Sequence, residues 1–299
     1  MASRIGFIGL GMMGHGMAKN LVTKGFTVTV LGHRNRTPVE NLVKLGAKEA
    51  KSAADLARDS DIVFICVTGS PQVEETIYKA DGVLAGAQSG LIVVDTSTSE
   101  PESTLKIGPD LAKKGITFVD APLTRTPKEA EEGRLNVMVG ADAATFAKIE
   151  PALKAFAENI FHVGALGAGH KLKLINNFIA MGQAAVIAEA TAAAAKVGVD
   201  LEALVKLISA GGVNSGIFQM MVPPALKGDV SSFKFGLGNA RKDLRYYTHM
   251  TEQAGVPSLL GEAVHQTFVQ ASALGFADKF VPSLLEAHEK INGLKIVRR

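Results

Sequence analysis

This 299-residue sequence has one cysteine, a small net charge and no pattern of metal ligands. Cys66 is the only cysteine, which excludes an intrachain disulfide and fits a reducing compartment. The net charge is only +3 and no basic run precedes the last few residues, so we expect no nucleic-acid partner. His249, His265 and His288 lack metal-ligand spacing with one another or with acids, so we expect no metal site.

Long uninterrupted apolar runs are missing as well. No apolar stretch is long enough to cross a membrane without a charge or a glycine, and the most apolar helical run carries Glu189. The sequence begins with a strand-like run instead of a signal peptide, so we expect a cytoplasmic protein with no membrane partner. Because 47% of the residues are hydrophobic and only 20% are charged, we expect an oligomer to bury part of the apolar surface.

The length and the hydrophobic pattern together predict two domains. Strand-like runs alternate with helical runs as far as Gly167, and almost no strand pattern follows. From about His170 an Ala-rich helical run continues to Lys196, and Gly198 stops it. We therefore predict a doubly wound nucleotide-binding domain at 1–165 and an all-helical substrate and dimerisation domain at 166–299, joined by this long helix.

A glycine-rich motif follows the first strand directly. The strand ends at Gly9, the pattern G-x-G-x-x-G follows, and a helical run continues to Lys24. In this context the motif is the dinucleotide-binding fingerprint, in which glycines allow the tight turn and the close approach of a pyrophosphate. The alternative is a tight turn with no ligand. The predicted cofactor-binding residues of this loop are Gly9, Leu10, Gly11, Met12, Met13 and Gly14.

The loop after the second strand, 27–31, predicts which dinucleotide binds. NAD-specific domains usually place an acid there to bind the ribose 2′-hydroxyl, and this loop has no acid. Guanidinium groups bind a 2′-phosphate bidentately, so two arginines favour NADP. The alternative is an ordinary basic loop with a solvated arginine, in which case NAD is still accepted. The predicted contacts are His33, Arg34, Asn35 and Arg36.

Further strands are predicted at 61–67, 91–95, 116–120 and 136–139. Ligands of a parallel sheet bind at the carboxyl ends of its strands. Three residues at or just after these ends are therefore cofactor-binding candidates, namely Val67, Thr68 and Thr98.

The loop after Asp120 contains two prolines and Arg125, and we expect it to line a substrate site in which Arg125 meets an anion. Alternatively, Arg125 caps the helix predicted at 128–132 and pairs with its acids. Lys173 and Asn177 are four residues apart and share one helix face, where they could hold and protonate a carbonyl oxygen. The alternative is a solvated first turn.

Five sequence blocks in this order resemble the β-hydroxyacid dehydrogenases, and the resemblance covers nearly the whole chain. That family includes 3-hydroxyisobutyrate dehydrogenase, tartronate semialdehyde reductase, sulfolactaldehyde reductase and, more distantly, 6-phosphogluconate dehydrogenase. The blocks are Gly9–Gly14, Asp95–Thr98, Asp120–Pro122, Gly167–Gly169 with Lys173 and Asn177, and Lys242–Asp243.

The resemblance implies a Rossmann domain, an all-helical second domain and a homodimer or homotetramer. It implies that Lys173 is the general acid/base and that Asn177 and Thr98 position the substrate or the nicotinamide. It also implies that Lys242 lies near the cofactor.

One block departs from the family pattern. Relatives with carboxylate substrates commonly have Ser-Gly-Gly in the loop after Asp120, where this chain has Thr124, Arg125 and Thr126. Sulfolactaldehyde reductases are similar to this chain there, which favours a substrate with a stronger or additional anion. Ala180 replaces their hydroxyl residue, so the sulfonate itself is not predicted. The substrate-binding candidates are Thr124, Arg125, Thr126, Lys173, Asn176 and Asn177.

These observations predict an NADP-preferring oxidoreductase that acts on a small acidic β-hydroxyacid or semialdehyde. An imine reductase of related architecture is the first alternative, and Lys173 argues against it. A non-catalytic nucleotide-sensing module of the same fold is the second, and the intact pair of Lys173 and Asn177 argues against that.

Overall fold

A computed structural model describes residues 3–298 of the chain. The chain separates into two compact units, Met1–Lys173 and Leu174–Arg299. The division falls inside one continuous helix, whereas the sequence predicted a boundary at 165/166. The assignment of a nucleotide-binding and a substrate role to the two parts stays a prediction.

The first unit is built on a nine-stranded sheet. The strands β3, β2, β1, β4, β5 and β6 lie side by side in that order, and all five neighbouring pairs are parallel. β8 then pairs antiparallel with β6 and β7 and parallel with β9. The strands are β1 (Arg4–Ile8), β2 (Thr27–Leu31), β3 (Lys48–Ala50), β4 (Ile62–Ile65), β5 (Ile92–Asp95), β6 (Thr117–Asp120), β7 (Leu123–Thr124), β8 (Leu135–Gly140) and β9 (Ala157–Gly164).

Helices connect these strands, as a doubly wound sheet requires. Side chains of adjacent strand residues point to opposite faces of the sheet. Thus Ile5 and Phe7 join one apolar cluster, whereas Ile8 joins a second, and both clusters are buried. The helices of this unit are α1 (Gly14–Thr23), α2 (Thr37–Lys44), α3 (Ala53–Arg58), α4 (Ser70–Tyr78), α5 (Val83–Gly86), α6 (Pro101–Ala112), α7 (Pro127–Glu132), α8 (Ala143–Leu153) and the start of α9 (Ala168–Lys196).

All six strands predicted from the sequence are present, and the predicted fold class is confirmed. The strands β3, β7 and β9 were not predicted. β3 reads Lys-Glu-Ala, and its three residues lack the alternating apolar pattern of a buried strand. β9 exposes most of its residues, so its sequence carries little apolar signal.

The second unit is all-helical in the part of it that the structure describes. The remainder of α9 packs its alanines and Met181 into one buried core with Phe218 and Phe268. α12 begins at Leu237, so Lys242 and Asp243 lie within it. The helices are α10 (Leu201–Ala210), α11 (Gly216–Ala225), α12 (Leu237–Gln253), α13 (Leu259–Ala271) and α14 (Leu284–Asn292), with a π-helical segment at Ser272–Phe276 and a 3-10 turn at Val281–Ser283.

Helix α9 is the one helix within residues 3–298 that is long and apolar enough to cross a membrane by length and composition. In its most apolar stretch 33% of the residues are buried. The core helix of a globular protein meets the same criteria, so this finding is weak evidence for a membrane span.

Candidate active site

The glycine loop between β1 and α1 has the geometry that its motif predicts. Gly9 has a φ of +98°, which side chains of L-residues rarely allow, and a Cβ at Gly14 would lie 1.9 Å from the Gly9 carbonyl oxygen. A Cβ at Gly11, by contrast, would meet no atom within 4 Å. Gly9 and Gly14 therefore serve the turn itself, whereas the open space over Gly11 faces outward.

This loop fits the pyrophosphate of a dinucleotide. The first N–H groups of α1 have no acceptor inside the helix, and they carry the positive end of its dipole. Open space over Gly11 lets a phosphate approach the backbone closely. Leu10, Met12 and Met13 form the rest of the loop, and Met12 is 56% exposed although it is apolar.

The ends of β4 and β5 are joined by side-chain hydrogen bonds. The backbone N–H of Val67 donates to Ser97 Oγ at 2.9 Å, and Thr96 Oγ1 donates to the Ile65 carbonyl at 2.8 Å. Val67, Thr68 and Thr98 thus lie at the carboxyl edge of the parallel strands, as predicted. Their contact with a cofactor stays a prediction.

The two arginines after β2 differ in a way that the sequence did not indicate. Arg36 donates two hydrogen bonds to Glu49, from Nη1 to Oε1 at 2.7 Å and from Nη2 to Oε2 at 2.8 Å. Glu49 lies on β3, the short strand that was not predicted. The Arg34 side chain is exposed and forms no hydrogen bond or ion pair with any residue from 3 to 298. The loop is therefore less basic than its sequence suggests.

The remaining residues of that loop are exposed. His33 and Asn35 lie on the surface, and Asn35 Oδ1 accepts a hydrogen bond from the Thr37 N–H at 3.2 Å, which leads the chain into α2. This contact gives Asn35 a local structural role beside its predicted role in cofactor binding.

Asp120, at the end of β6, anchors the start of helix α9. Its Oδ1 accepts the Gly167 N–H at 2.7 Å and its Oδ2 accepts the His170 N–H at 2.8 Å. The carboxyl group is fully buried, and burial raises its pKa. Two N–H groups at the helix start that would otherwise lack acceptors are satisfied in this way.

Glycines make room for this carboxyl group. A Cβ at Gly140 would lie 2.3 Å from Asp120 Oδ1, and one at Gly169 would lie 2.4 Å from the Met138 carbonyl oxygen and 2.9 Å from Asp120 Oδ2. Any side chain at either position would displace the carboxyl group. The Asp120 motif and the Gly167–Gly169 motif therefore depend on each other, because the carboxyl group of the first fits only beside the glycines of the second.

His170 is buried beside the same carboxyl group and is not a surface residue of the first turn. Its Nδ1 lies 2.7 Å from Thr104 Oγ1 on α6, and its Nε2 lies 3.7 Å from Asp95 Oδ2. The Asp95 oxygens accept from the Ser97 N–H and the Ser99 hydroxyl, each at 2.8 Å. The first turn of α9 is therefore held by Asp120 on β6 and by the hydrogen bond between His170 and Thr104 on α6.

Lys173 lies one turn after His170 on α9 and is half-buried. Because Asp120 fixes the backbone of the preceding turn, it also fixes the direction in which the Lys173 side chain leaves the helix. Asn177 follows one turn later on the same helix.

Arg125 has the only positive φ, 81°, among the non-glycine residues at 3–298. Such a backbone costs about 1–2 kcal/mol, so the side-chain contacts must offset it. Its guanidinium donates to Glu158 and to the Arg134 carbonyl. The alternative, pairing with the acids of α7, is not seen, because Arg125 pairs with Glu158 while Thr126 and Glu129 form the cap of that helix. Thr124 accepts from Asn136 Nδ2 at 3.1 Å.

In the second unit, Asp243 joins the remaining predicted site residues. Asn177 Nδ2 donates to Asp243 Oδ2 at 2.7 Å, and the Lys242 ammonium lies 2.9 Å from Asp243 Oδ1. Asn176 Nδ2 donates to Asn177 Oδ1 at 3.1 Å, and Lys242 lies over the Tyr246 ring at 4.7 Å. The sequence shows Asp243 only as part of the Lys242–Asp243 motif, which does not predict its link to Asn177.

No group of three or more His, Cys, Asp or Glu side chains within residues 3–298 could hold a metal ion. Burial raises the pKa of Cys66 to about 11, so its thiol stays protonated near neutral pH.

Comparison with known proteins identifies the class to which this fold and site belong. Residues 4–164 match the NAD-binding domain of 6-phosphogluconate dehydrogenase. Residues 167–286 match the NAD-binding domain of NADP-dependent 3-hydroxyisobutyrate dehydrogenase.

The whole chain is similar to curated dehydrogenases and reductases. It is 33% identical to 2-(hydroxymethyl)glutarate dehydrogenase of Eubacterium barkeri, over 98% of this chain and 97% of the relative. It is 33% identical to L-threonate dehydrogenase of Cupriavidus necator, over 92% of each chain. It is 31% identical to 3-sulfolactaldehyde reductase of Escherichia coli, over 94% of each chain.

Solved structures agree with this result. A 3-hydroxyisobutyrate dehydrogenase from Salmonella typhimurium superposes with a TM-score of 0.85 at 26% identity, over 95% of this chain and 99% of that one. The structure of Psf3 in complex with NADP+ and 2-OPP has a TM-score of 0.82 at 25% identity, over 94% and 99%. Imine reductases at 20–22% identity share the fold alone.

The chain belongs to the β-hydroxyacid dehydrogenase family, and it is an NAD(P)-dependent hydroxyacid dehydrogenase.

We predict that alanine at two glycines of the loop affects two different properties. Gly11→Ala leaves the fold intact, because its Cβ enters open space, but weakens dinucleotide binding. Gly14→Ala lowers thermal stability, because its Cβ would overlap the Gly9 carbonyl oxygen. Thermal unfolding and calorimetric titration with NADP+ measure both effects. A Gly11→Ala variant that binds NADP+ as tightly as the parent would show that no phosphate approaches the loop there.

Proposed function

We propose that the protein is an NADP-preferring enzyme that reduces a small acidic semialdehyde, or oxidises the corresponding β-hydroxyacid, with Lys173 as general acid/base. We also propose that it acts in the cytoplasm as a homodimer or homotetramer. The observation that carries the catalytic part is the anchoring of the Lys173 helix by Asp120 at the carboxyl edge of the parallel sheet. This is the edge at which such sheets bind dinucleotides.

In this proposal the dinucleotide supplies or accepts the hydride. During reduction, Lys173 Nζ donates a proton to the carbonyl oxygen as the carbonyl carbon gains the hydride, and solvent later restores the lysine proton. During oxidation Lys173 accepts the hydroxyl proton. The lysine must lie within about 3 Å of that oxygen for the transfer.

Asn177 is proposed to bind the same substrate oxygen without adding charge. Asp243 accepts one hydrogen bond from its amide group and so fixes the orientation of the side chain. Oδ1 accepts from Asn176, and Nδ2 gives one of its two N–H groups to Asp243, which leaves the other for a substrate. Lys242 balances the charge of Asp243, which is 2% exposed.

The substrate is proposed to be acidic for two reasons. The curated relatives are named for hydroxymethylglutarate, threonate and sulfolactaldehyde, all of which carry an acid group. Arg125 also lies in the loop where the family pattern has glycine, and it is the candidate donor for that acid. Thr124 and Thr126 are the proposed neighbours on either side.

NADP is proposed as the preferred cofactor because the loop after β2 carries two arginines and no acid. The ion pair of Arg36 with Glu49 leaves Arg34 as the arginine with no protein partner within residues 3–298. The preference is therefore expected to be moderate.

We predict that Lys173→Ala loses most turnover while NADPH affinity changes little. General acid/base groups contribute about a hundredfold to ten-thousandfold to the rate. The assay is oxidation of NADPH or NADH with a panel of three- and four-carbon acidic aldehydes, together with a separate titration of NADPH binding.

Lys171→Ala is the matched control, because Lys171 is exposed on the same helix turn. It should behave as the parent does. Parent-like turnover of Lys173→Ala would remove that lysine from the mechanism.

The cofactor preference has its own test. A lower Michaelis constant for NADH than for NADPH in the parent enzyme would refute it.

Two variants test Arg125. If it receives the substrate anion, Arg125→Ala should raise the Michaelis constant of an acidic aldehyde about tenfold to a hundredfold and leave an uncharged aldehyde of the same length unaffected. Glu158→Gln should then lower that constant, because the guanidinium loses its competing partner. Equal losses with both substrates in both variants would mean that the ion pair only braces the loop.

A further inference from the structure

Gly32 stands at the place where dinucleotide-binding sheets choose between their two cofactors. It follows Leu31 directly, at the carboxyl end of β2. An acid here would bind the adenosine ribose, but a side chain at this position would have to displace two side-chain ends that already occupy the space. A Cβ at Gly32 would lie 2.3 Å from Arg36 Nη1 and 2.4 Å from Glu49 Oε1.

The two side chains that occupy this space form one ion pair. Arg36 and Glu49 meet end to end through two hydrogen bonds, which hold the pair directly against the Gly32 backbone. Glu49 reaches this position because β3 runs beside β2, with Glu49 opposite Val30. An acid from the neighbouring strand therefore occupies the space that an acid at the end of β2 would take.

We infer that Glu49 limits the preference of this enzyme for NADP, by holding Arg36 in an ion pair where a 2′-phosphate would bind and by placing a carboxylate beside it. The inference deepens the proposed NADP preference and rests on it only for the location of the ribose.

The charges give the direction of the effect. The pair carries no net charge, so it offers a doubly negative 2′-phosphate little attraction. Binding through Arg36 requires the guanidinium either to leave Glu49 or to share its donors with two anions. The ribose of NAD, in contrast, presents hydroxyl groups that can donate hydrogen bonds to a carboxylate. Glu49 therefore weakens NADP binding and tolerates NAD.

Both partners are partly exposed, which limits the size of the effect. The side chains of Arg36 and Glu49 are 50% and 33% exposed. An exposed ion pair contributes little free energy. Breaking the pair can therefore change the free energy of ligand binding by no more than that small amount. We therefore expect Glu49→Gln to change the relative affinity for the phosphorylated ligand by about two- to fivefold.

The test uses two ligands that contain only the adenosine half. Adenosine 2′,5′-bisphosphate and adenosine 5′-monophosphate differ by the 2′-phosphate alone, and calorimetric titration measures both without any turnover. Glu49→Gln should tighten binding of the bisphosphate about two- to fivefold relative to the monophosphate. Arg36→Gln should weaken bisphosphate binding, and adding Glu49→Gln to that variant should then have a smaller effect.

Glu40→Gln is the matched control. Glu40 is exposed on α2 and acts on Arg36 through its charge, without a side-chain hydrogen bond to it. It should shift the affinity ratio much less than Glu49→Gln. Equal shifts in the two variants would show that only the general charge of the region matters and would overturn the inference.

No shift with Glu49→Gln, or weaker bisphosphate binding, would also overturn it, the second because Glu49 would then be orienting Arg36 for the phosphate. An NADH preference of the parent enzyme is a separate result. It would refute the proposed NADP preference, whereas a shift of the affinity ratio in Glu49→Gln would still support the role of Glu49.

Discussion

A buried carboxylate with its two backbone donors is the contact on which the candidate active site depends. Asp120 ends β6 and accepts the N–H groups of Gly167 and His170, so the first turn of α9 cannot shift along the sheet edge. A buried charge without partners would be costly, and these donors offset that cost. The glycines at 140 and 169 are required because the carboxyl group fills the space of their side chains. The direction of Lys173 follows from this anchor.

Paired acids recur beside the other predicted site residues within each unit. Glu49 holds Arg36, Glu158 holds Arg125, and Asp243 holds both Asn177 and Lys242. In each case a side chain predicted to meet a ligand already has an acidic partner within the protein. A ligand must therefore either use the donors that remain or displace the acid. This competition orients the basic groups and also reduces their attraction for anions, so affinity and specificity depend on the acids as much as on the bases.

Much of the fold was predictable because apolar residues recur with strand and helix periods over long stretches. The glycine loop was predictable too, because its turn and its close contact depend on local sequence. β3 and β9 were not, since a three-residue polar strand and an exposed strand carry little apolar signal. Nor were the acidic partners, because Arg125 and Glu158 are 33 residues apart and Asn177 and Asp243 are 66 apart. Their contacts arise only when the chain folds.

Amide hydrogen exchange at Gly167 and His170 tests the anchoring by Asp120 most directly, in the parent and in Asp120→Asn. Asparagine has one acceptor oxygen, and its NH2 group would face the second backbone N–H. We expect at least one of the two amides to lose protection in the variant, while Val93 in the centre of the sheet keeps its protection. Single-turnover reduction should slow in the same variant with NADPH affinity unchanged. Parent-like exchange of both amides together with parent-like reduction would contradict the account.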